Sequence, residues 1–359
     1  LLPHASRTCH GAIHLRETLT FAPTDRILIV APHPDDESIA TGGLAQAALA
    51  AGAGVRVIVL TDGDANVWPQ RWIEKRWRID AAARARWGAR RRGEAREAMR
   101  VLGLGADAAV FFGLPDLGLT GLLMRADASA PAMLNREFAA FVPTCIVLPS
   151  LADRHPDHSA ANILVRLALN GWAGPFPRLL EFAVHGGVAR DGVACELDGG
   201  RQECKRAAIL AHATQMRLSS KRFLRHAGAV EIFQQATVDA AENPLLPLRA
   251  HADRGGRLHV ELDADQAQRG SSLFVVMDGD GCACRLLVPW KPDAGELPAF
   301  DTVNRKPFGN ALSQRVGKRV SLTLDSGCAD WRSGFVKLAR PVPGLWVFDR
   351  HGWQAIVRS

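Results

Sequence analysis

Two short stretches hold side chains whose types and spacing could do hydrolytic chemistry. Ala31-Pro32-His33-Pro34-Asp35-Asp36-Glu37 presents one imidazole and three consecutive carboxylates. Arg154-His155-Pro156-Asp157-His158 presents two imidazoles around another carboxylate. A lone His-Pro-Asp is ordinary turn chemistry, because Pro and Asp both favour turns. Two of them, each closely following an apolar run, are much harder to obtain by chance, and together they supply a metal set. Two His and one carboxylate suit a divalent cation of zinc type, with one position left for water. Such a cation lowers the pKa of water from ~15.7 to about 7, so hydroxide becomes available at neutral pH. Asp35 is then placed to take a proton from the water without having to be a ligand.

The elements that must position these groups are legible as apolar runs. Arg26–Ala31 reads as a short buried strand and Thr41–Ala51 as a small-residue helix. Val55–Leu60 is a second strand ending at Thr61-Asp62-Gly63, and a long basic helical region runs on to Leu102-Gly103. Ala108–Phe112, Cys145–Pro149 and Leu179–Val184 are further strands. Strands alternating with helices imply parallel βαβ units: an α/β, Rossmann-like, mostly parallel sheet with helices on both faces. In such a sheet, ligands bind beyond the carboxyl ends of strands, near the point where strand order reverses. Both His-Pro-Asp motifs follow strands, so both can converge there. A nucleotide-binding sheet would carry a glycine-rich phosphate loop in place of His33–Glu37.

After about Asn243-Pro244 the pattern changes. Leu258, Val260 and Leu262 alternate with His259, Glu261 and Asp263, which is strand periodicity. Short β-type runs recur at Ser272–Met277, Arg285–Val288, Arg319–Leu324 and Leu345–Phe348, separated by Gly, Pro and Asp. Two domains are therefore expected, 1–243 carrying the chemistry and 244–359 a β-rich, sandwich-like accessory domain. That second part shows no catalytic signature.

The formal charge of +7 is concentrated in one place. Between Arg71 and Arg100 there are eleven Arg/Lys against four Asp/Glu, a surplus of seven. A charge run is usually a solvated helix face. Trp68, Trp72, Trp77 and Trp87 interleaved with this one add weight to a contact surface for nucleic acid, an anionic membrane or an anionic substrate. Seven cysteines cannot all pair within one chain, and Cys282-Ala283-Cys284 lacks a second pair at ligand spacing. A reducing, cytoplasmic location is expected, with contact at the inner membrane surface compatible with the charge. No apolar stretch is long enough for a transmembrane helix. The chain begins without Met, so secretion stays open as an expectation.

The paired motifs, His33-Pro-Asp-Asp-Glu37 with His155-Pro-Asp-His158, resemble the PIG-L/LmbE-like N-acetylglucosaminyl deacetylase family over about residues 25–235. Weaker features follow in order: Thr61-Asp62-Gly63, Arg91 with Glu94 and Ala98, Leu114-Pro115-Asp116, and Lys205 with His212 and Gln215. The resemblance implies roles. His33, Asp36 and His158 would hold the metal, Zn2+ or, on the same ligands, Fe2+. Asp35 would be the general base. His155 would stabilise the tetrahedral intermediate, and Asp157 would orient an imidazole of its own motif. Arg91 and Asp116 would hold sugar hydroxyls. Glu37 is assigned no chemistry and is expected to support the loop or the next helix.

The activity implied is a hydrolase acting on a linear amide C–N bond, a de-N-acetylase of an N-acetylhexosamine in a glycoconjugate. The long basic Trp-containing segment suits a large, anionic or lipid-linked substrate. Some family members place a mobile tyrosine near the metal; this chain has no tyrosine, so any such part falls to another residue, with His185 one candidate. An amidase acting on another amide-bearing conjugate would use the same metal set. A nucleic-acid-binding protein using residues 68–100 would leave both His-Pro-Asp motifs without a purpose, so no nucleic-acid partner is expected.

Overall fold

The computed structural model describes residues 17–186, 192–236, 248–266, 270–291, 295–340 and 347–359. The first sheet holds β1 (Glu17–Thr18), β2 (Arg26–Ala31), β3 (Gly54–Thr61) and β4 (Ala109–Leu114). It is completed by β5 (Cys145–Pro149), β6 (Arg178–Phe182), β7 (Val193–Glu196) and β8 (Val230–Ala236). The order is β1-β7-β8-β6-β5-β2-β3-β4. From β6 to β4 all neighbours are parallel, whereas β8 runs antiparallel to both β6 and β7. The expected α/β, mostly parallel sheet is therefore present, extended at one edge by an antiparallel pair.

Alternation along the central strands builds a core on each face, because successive side chains of a strand point to opposite sides. Leu28, Val30, Ile58, Leu60, Ile146 and Leu148 face one layer, with α5 (Leu119–Met124), α6 (Ser129–Phe141) and α7 (Pro156–Asn170) upon it. Ile27, Ile29, Val57, Val59 and Val147 face the other, covered by α2 (Gly42–Ala50), α4 (Ala81–Val101) and α8 (Gly199–Ala211). Three further helices lie at the sheet's mouth: α1 (Asp36–Ile39), α3 (Val67–Glu74) and α9 (Ala213–Leu224). The basic helical region is thus two helices, split where Asp80 caps α4 by accepting the amide of Ala83.

The C-terminal part is one sheet of β9 (Leu248–Ala252), β10 (Arg257–Asp263), β11 (Ser272–Gly279), β12 (Cys282–Pro289) and β13 (Glu296–Asp301) with five more strands. These are β14 (Lys306–Val316), β15 (Arg319–Asp325), β16 (Trp331–Ala339), β17 (Gln354–Ala355) and β18 (Val357–Arg358). β17 pairs with β16 and β18 with β9, at the two opposite ends of the sheet. One stretch of chain therefore bridges both edges, and the sheet rolls nearly closed. The β-rich expectation is met, with one curled sheet enclosing its own core where a sandwich would use two. Of the run expected at Leu345–Phe348, residues 347–348 are not in a strand, and the rest lies outside the described residues, as does the expected boundary at 243/244.

This unit packs on the α5–α7 side. Val276, Phe335, Trp353 and Ala355 join the core that holds Leu28 and Phe138. The Arg285 side chain donates to the carbonyl of Leu123 at 2.9 Å. Cys282 and Cys328 are disulfide-bonded, so Cys282 of the Cys282-Ala283-Cys284 run pairs outside it. No helix among the described residues is long and apolar enough to cross a membrane.

A buried ion pair fixes α2 against the antiparallel edge. Glu231 accepts Lys205 Nζ at 2.6 Å and the amides of Gly43 and Leu44 at 2.6 and 2.8 Å, capping the helix N-terminus. Replacing Glu231 by Ala strands a buried ammonium and two amides. Urea unfolding should show a loss of about 3–5 kcal/mol. A loss below ~1 kcal/mol, the scale of an exposed pair, would contradict this reading.

Candidate active site

Four adjacent strand ends supply the site. β2 opens into His33–Asp36, β5 into the loop reaching His155, β3 into Thr61–Gly63 and β4 into Asp116. The chain leaves β2 for β3 on one side and later returns to β5 on the other, so the two His-Pro-Asp motifs meet at the switch point. His155 is the N-cap of α7, its Nδ1 accepting the amide of Asp157 at 3.3 Å. His158 lies in the first turn behind it.

The centre is the carboxylate of Asp36. Its Oδ2 lies 3.3 Å from His33 Nδ1 and 3.2 Å from His158 Nε2. The far nitrogen of each ring faces other carboxylates. His158 Nδ1 is 3.2 Å from Asp153 Oδ2, and His33 Nε2 is 3.3 Å from Asp116 Oδ1 and 3.4 Å from Asp157 Oδ2. A proton on His158 Nδ1 satisfies Asp153 and one on His33 Nε2 faces Asp116 and Asp157, which leaves two imidazole lone pairs aimed at Asp36. Three acceptors then converge in a buried space, which is unfavourable without a proton or a metal cation among them. His158 Nε2 has no hydrogen-bond partner although it is buried. The donor set His33, Asp36 and His158 therefore fits a divalent ion of zinc type. His155 is close enough to make a group of three imidazoles, and His33, Asp116 and Asp157 form a second group able to hold a cation.

Charge in this cluster follows from burial and neighbours. Burial would lower His33 and His158, but surrounding carboxylates outweigh it, raising His33 well above its ordinary value and His158 to about 10. Burial would raise Asp36, yet His158 and His33 hold it well below the usual carboxylate range. Asp35 goes the other way. Burial pushes it up to about 6, against the pull of Arg91. Burial and the other imidazoles keep His155 well below its ordinary value, hence neutral.

Asp35 stands at φ 142°, ψ −27°, a conformation that costs a residue with a side chain on the order of 1–3 kcal/mol. Two buried groups hold it there. Glu37 accepts the Asp35 amide at 2.9 Å, while its other oxygen meets His212 Nε2 at 3.0 Å. Arg91 donates to the Pro34 carbonyl at 2.7 Å, the Asp35 carboxylate at 3.0 Å and the Gly63 carbonyl at 2.7 Å. A Cβ on Gly63 would come within 1.6 Å of the Arg91 guanidinium, at a backbone φ of +63°. The Thr-Asp-Gly feature thus makes room for Arg91.

Every sequence-predicted site residue reaches this cluster, but one role changes. Asp157 was expected to orient an imidazole of its own motif. Its oxygens instead accept the amides of Leu117 and Leu119, and the imidazole it approaches is His33. Asp153 is the carboxylate on His158, and it also accepts the amides of His155, Val184 and His185. Only its position two residues before His155 signals this. Arg91 and Asp116 both line the cavity, although three contacts of Arg91 are internal.

The cavity, about 290 Å³, is lined by Asp35, His155 and His185 together with Val347 and Phe348. The Phe348 ring lies 4.7 Å from His185 and 5.8 Å from His155. Its segment is tied down by the Asp349 amide on the Arg154 carbonyl, 2.8 Å, and by Lys337 on the Asp349 carboxylate, 2.5 Å. The C-terminal unit therefore supplies part of the wall, which nothing in its sequence pattern announces.

Residues 28–169 match the family described as PIG-L, GlcNAc-PI de-N-acetylase, bearing out the resemblance of the motifs. The 1D-myo-inositol 2-acetamido-2-deoxy-alpha-D-glucopyranoside deacetylase of Mycobacterium avium is 44% identical over 85 residues, 23% of this chain and 27% of that protein. The chain thus spans about a quarter of that relative's length. The protein of the same description from Mycobacteroides abscessus is 29% identical over 238 residues, 55% of this chain and 83% of that one. A conserved protein of Thermus thermophilus superposes at 25% identity with a TM-score of 0.45, over 62% of this chain and 99% of its own.

Asp153 fixes the tautomer and direction of His158, so its loss should show in metal affinity. Asp153→Ala should bind Zn2+ roughly 10–100-fold more weakly in competition with a chelating dye. An affinity equal to wild type, with the fold retained by circular dichroism, would contradict that assignment.

Proposed function

We propose that this chain, whose residues 28–169 match the PIG-L family, is a metal-dependent de-N-acetylase. It would hydrolyse the acetamide of an N-acetylhexosamine in a glycoconjugate to acetate and a free amine. The observation that carries this is the convergence of His33 Nδ1, His158 Nε2 and the Asp36 carboxylate, with the Asp35 carboxylate held beside them by Arg91. His33, Asp36 and His158 would hold the ion, Zn2+ by preference, with Fe2+ suited to the same ligands. When bound, the ion supplies Lewis-acid polarisation of the acetyl carbonyl and a water acidic enough to attack it.

The protein's own groups do the rest. Asp35, held by Arg91 and Glu37, takes the proton of the attacking water. His155 is neutral and accepts at Nδ1, so its Nε2 carries the proton and donates to the oxygen that gains charge. Asp35, now protonated, is the donor available to the departing nitrogen. Arg91 and Asp116, at the cavity wall, are the groups for sugar hydroxyls. Phe348 adds an apolar face to the same cavity, beside His185.

Asp35→Asn keeps the shape and removes the base. Acetate release from a panel of N-acetylhexosamine conjugates should fall roughly 10²–10⁴-fold while bound metal stays the same. Chelation should abolish release, and added Zn2+ should restore it. Release from no sugar acetamide, together with hydrolysis of an unrelated amide conjugate, would replace this reading by that of a general amidase.

A further inference from the structure

Part of the cavity wall belongs to a surface that the chemistry above does not use. Asn66 and Pro69 of the α3 segment line the cavity, and the same segment carries Trp68, Trp72 and Trp77, which are 57%, 76% and 75% exposed. Three large aromatics this open within ten residues are unusual on a surface that only meets water. They are arranged, not scattered. Lys75, at φ 51°, ends the helix and turns the chain back, so that Arg71 lies 4.9 Å from the Trp68 ring and 5.1 Å from the Trp77 ring. Trp87, also in the basic run, is by contrast buried.

Charge accompanies the aromatics. Residues 66–78 hold Arg71, Lys75, Arg76 and Arg78 against Glu74 alone. α9 packs beside α3 and continues the rim through Arg222 and Phe223. Residues 213–226 add Arg217, Lys221, Arg222 and Arg225 with no acid at all. The two rim elements thus carry eight Lys/Arg against one carboxylate. Indole rings favour the boundary between headgroups and acyl chains, and clustered cations are drawn to anionic headgroups. Aromatics and cations here belong to two packed helices, both of which contribute to the cavity wall.

We propose that the α3–α9 rim docks this protein on an anionic lipid surface, Trp72 and Trp77 entering the headgroup boundary and the surrounding Lys/Arg meeting lipid phosphates. The cavity then opens toward the bilayer. The docking surface stands without the catalytic reading.

The test is co-sedimentation of the whole chain with phosphatidylcholine vesicles, with and without phosphatidylglycerol. Binding should require phosphatidylglycerol and weaken with added salt. Trp72→Ala with Trp77→Ala should reduce it roughly tenfold, and Lys75→Glu with Arg76→Glu by at least about tenfold. Acetate release from a water-soluble N-acetylhexosamine should be unchanged in both variants. Failure of wild type to bind anionic vesicles, equal binding to uncharged ones, or variants that bind like wild type would overturn the proposal. So would tighter binding to single-stranded RNA that the same variants abolish. If wild type binds anionic vesicles but releases no acetate from any substrate, the docking surface is upheld and the de-N-acetylation reading fails.

Discussion

The Asp36 carboxylate is shared between two imidazole nitrogens, 3.3 and 3.2 Å away, in a pocket where all three residues are buried. Burying acceptors together without a proton or a metal cation among them is expensive, and the surroundings make the arrangement stricter. Asp153 occupies the far side of His158, and Asp116 and Asp157 occupy the far side of His33. Neither ring can turn its lone pair elsewhere without leaving a carboxylate bare. The rest of the structure serves this constraint: parallel strands end here, loops are pinned by these carboxylates, and helix α7 starts from His155.

Asp35 shows how the scaffold separates two adjacent carboxylates. Asp36 is drawn into the imidazoles and stays ionised, whereas Asp35 is turned away by a strained backbone and raised to about 6 by burial. Arg91 and Glu37 hold that strain from opposite sides, and each is anchored in turn, Arg91 on Gly63 and Glu37 on His212. Two neighbours in sequence thus acquire different electrostatics, the condition for one to bind and the other to move a proton. The C-terminal unit completes the cavity wall with Val347 and Phe348.

Much of this was legible in the sequence where the signal is local. The runs Arg26–Ala31 and Cys145–Pro149 predict buried parallel strands because both of their faces are apolar, and motifs at their ends must meet at the sheet's edge. Leu258, Val260 and Leu262 give the inward face of β10 directly. What stayed hidden depends on contacts between residues far apart in the chain. Glu37 meets His212 and Asp157 meets His33 only once the sheet is formed. The antiparallel edge of β7 and β8, the closure of the second sheet by residues 354–358, and the Cys282–Cys328 bond have no local periodicity. Asp153 was missed because a carboxylate in a turn before a helix looks like any other. Phe348 was missed because a single aromatic in an irregular segment carries no pattern.

X-ray absorption at the zinc edge of the Zn2+-loaded protein tests the central claim most directly, because it counts the atoms that the Asp36 cluster offers. The account predicts two imidazoles and one carboxylate, without sulfur, and loss of one imidazole in His158→Ala but not in His155→Ala. Three imidazoles in wild type, or an unchanged spectrum in His158→Ala, would place the ion elsewhere and contradict the account.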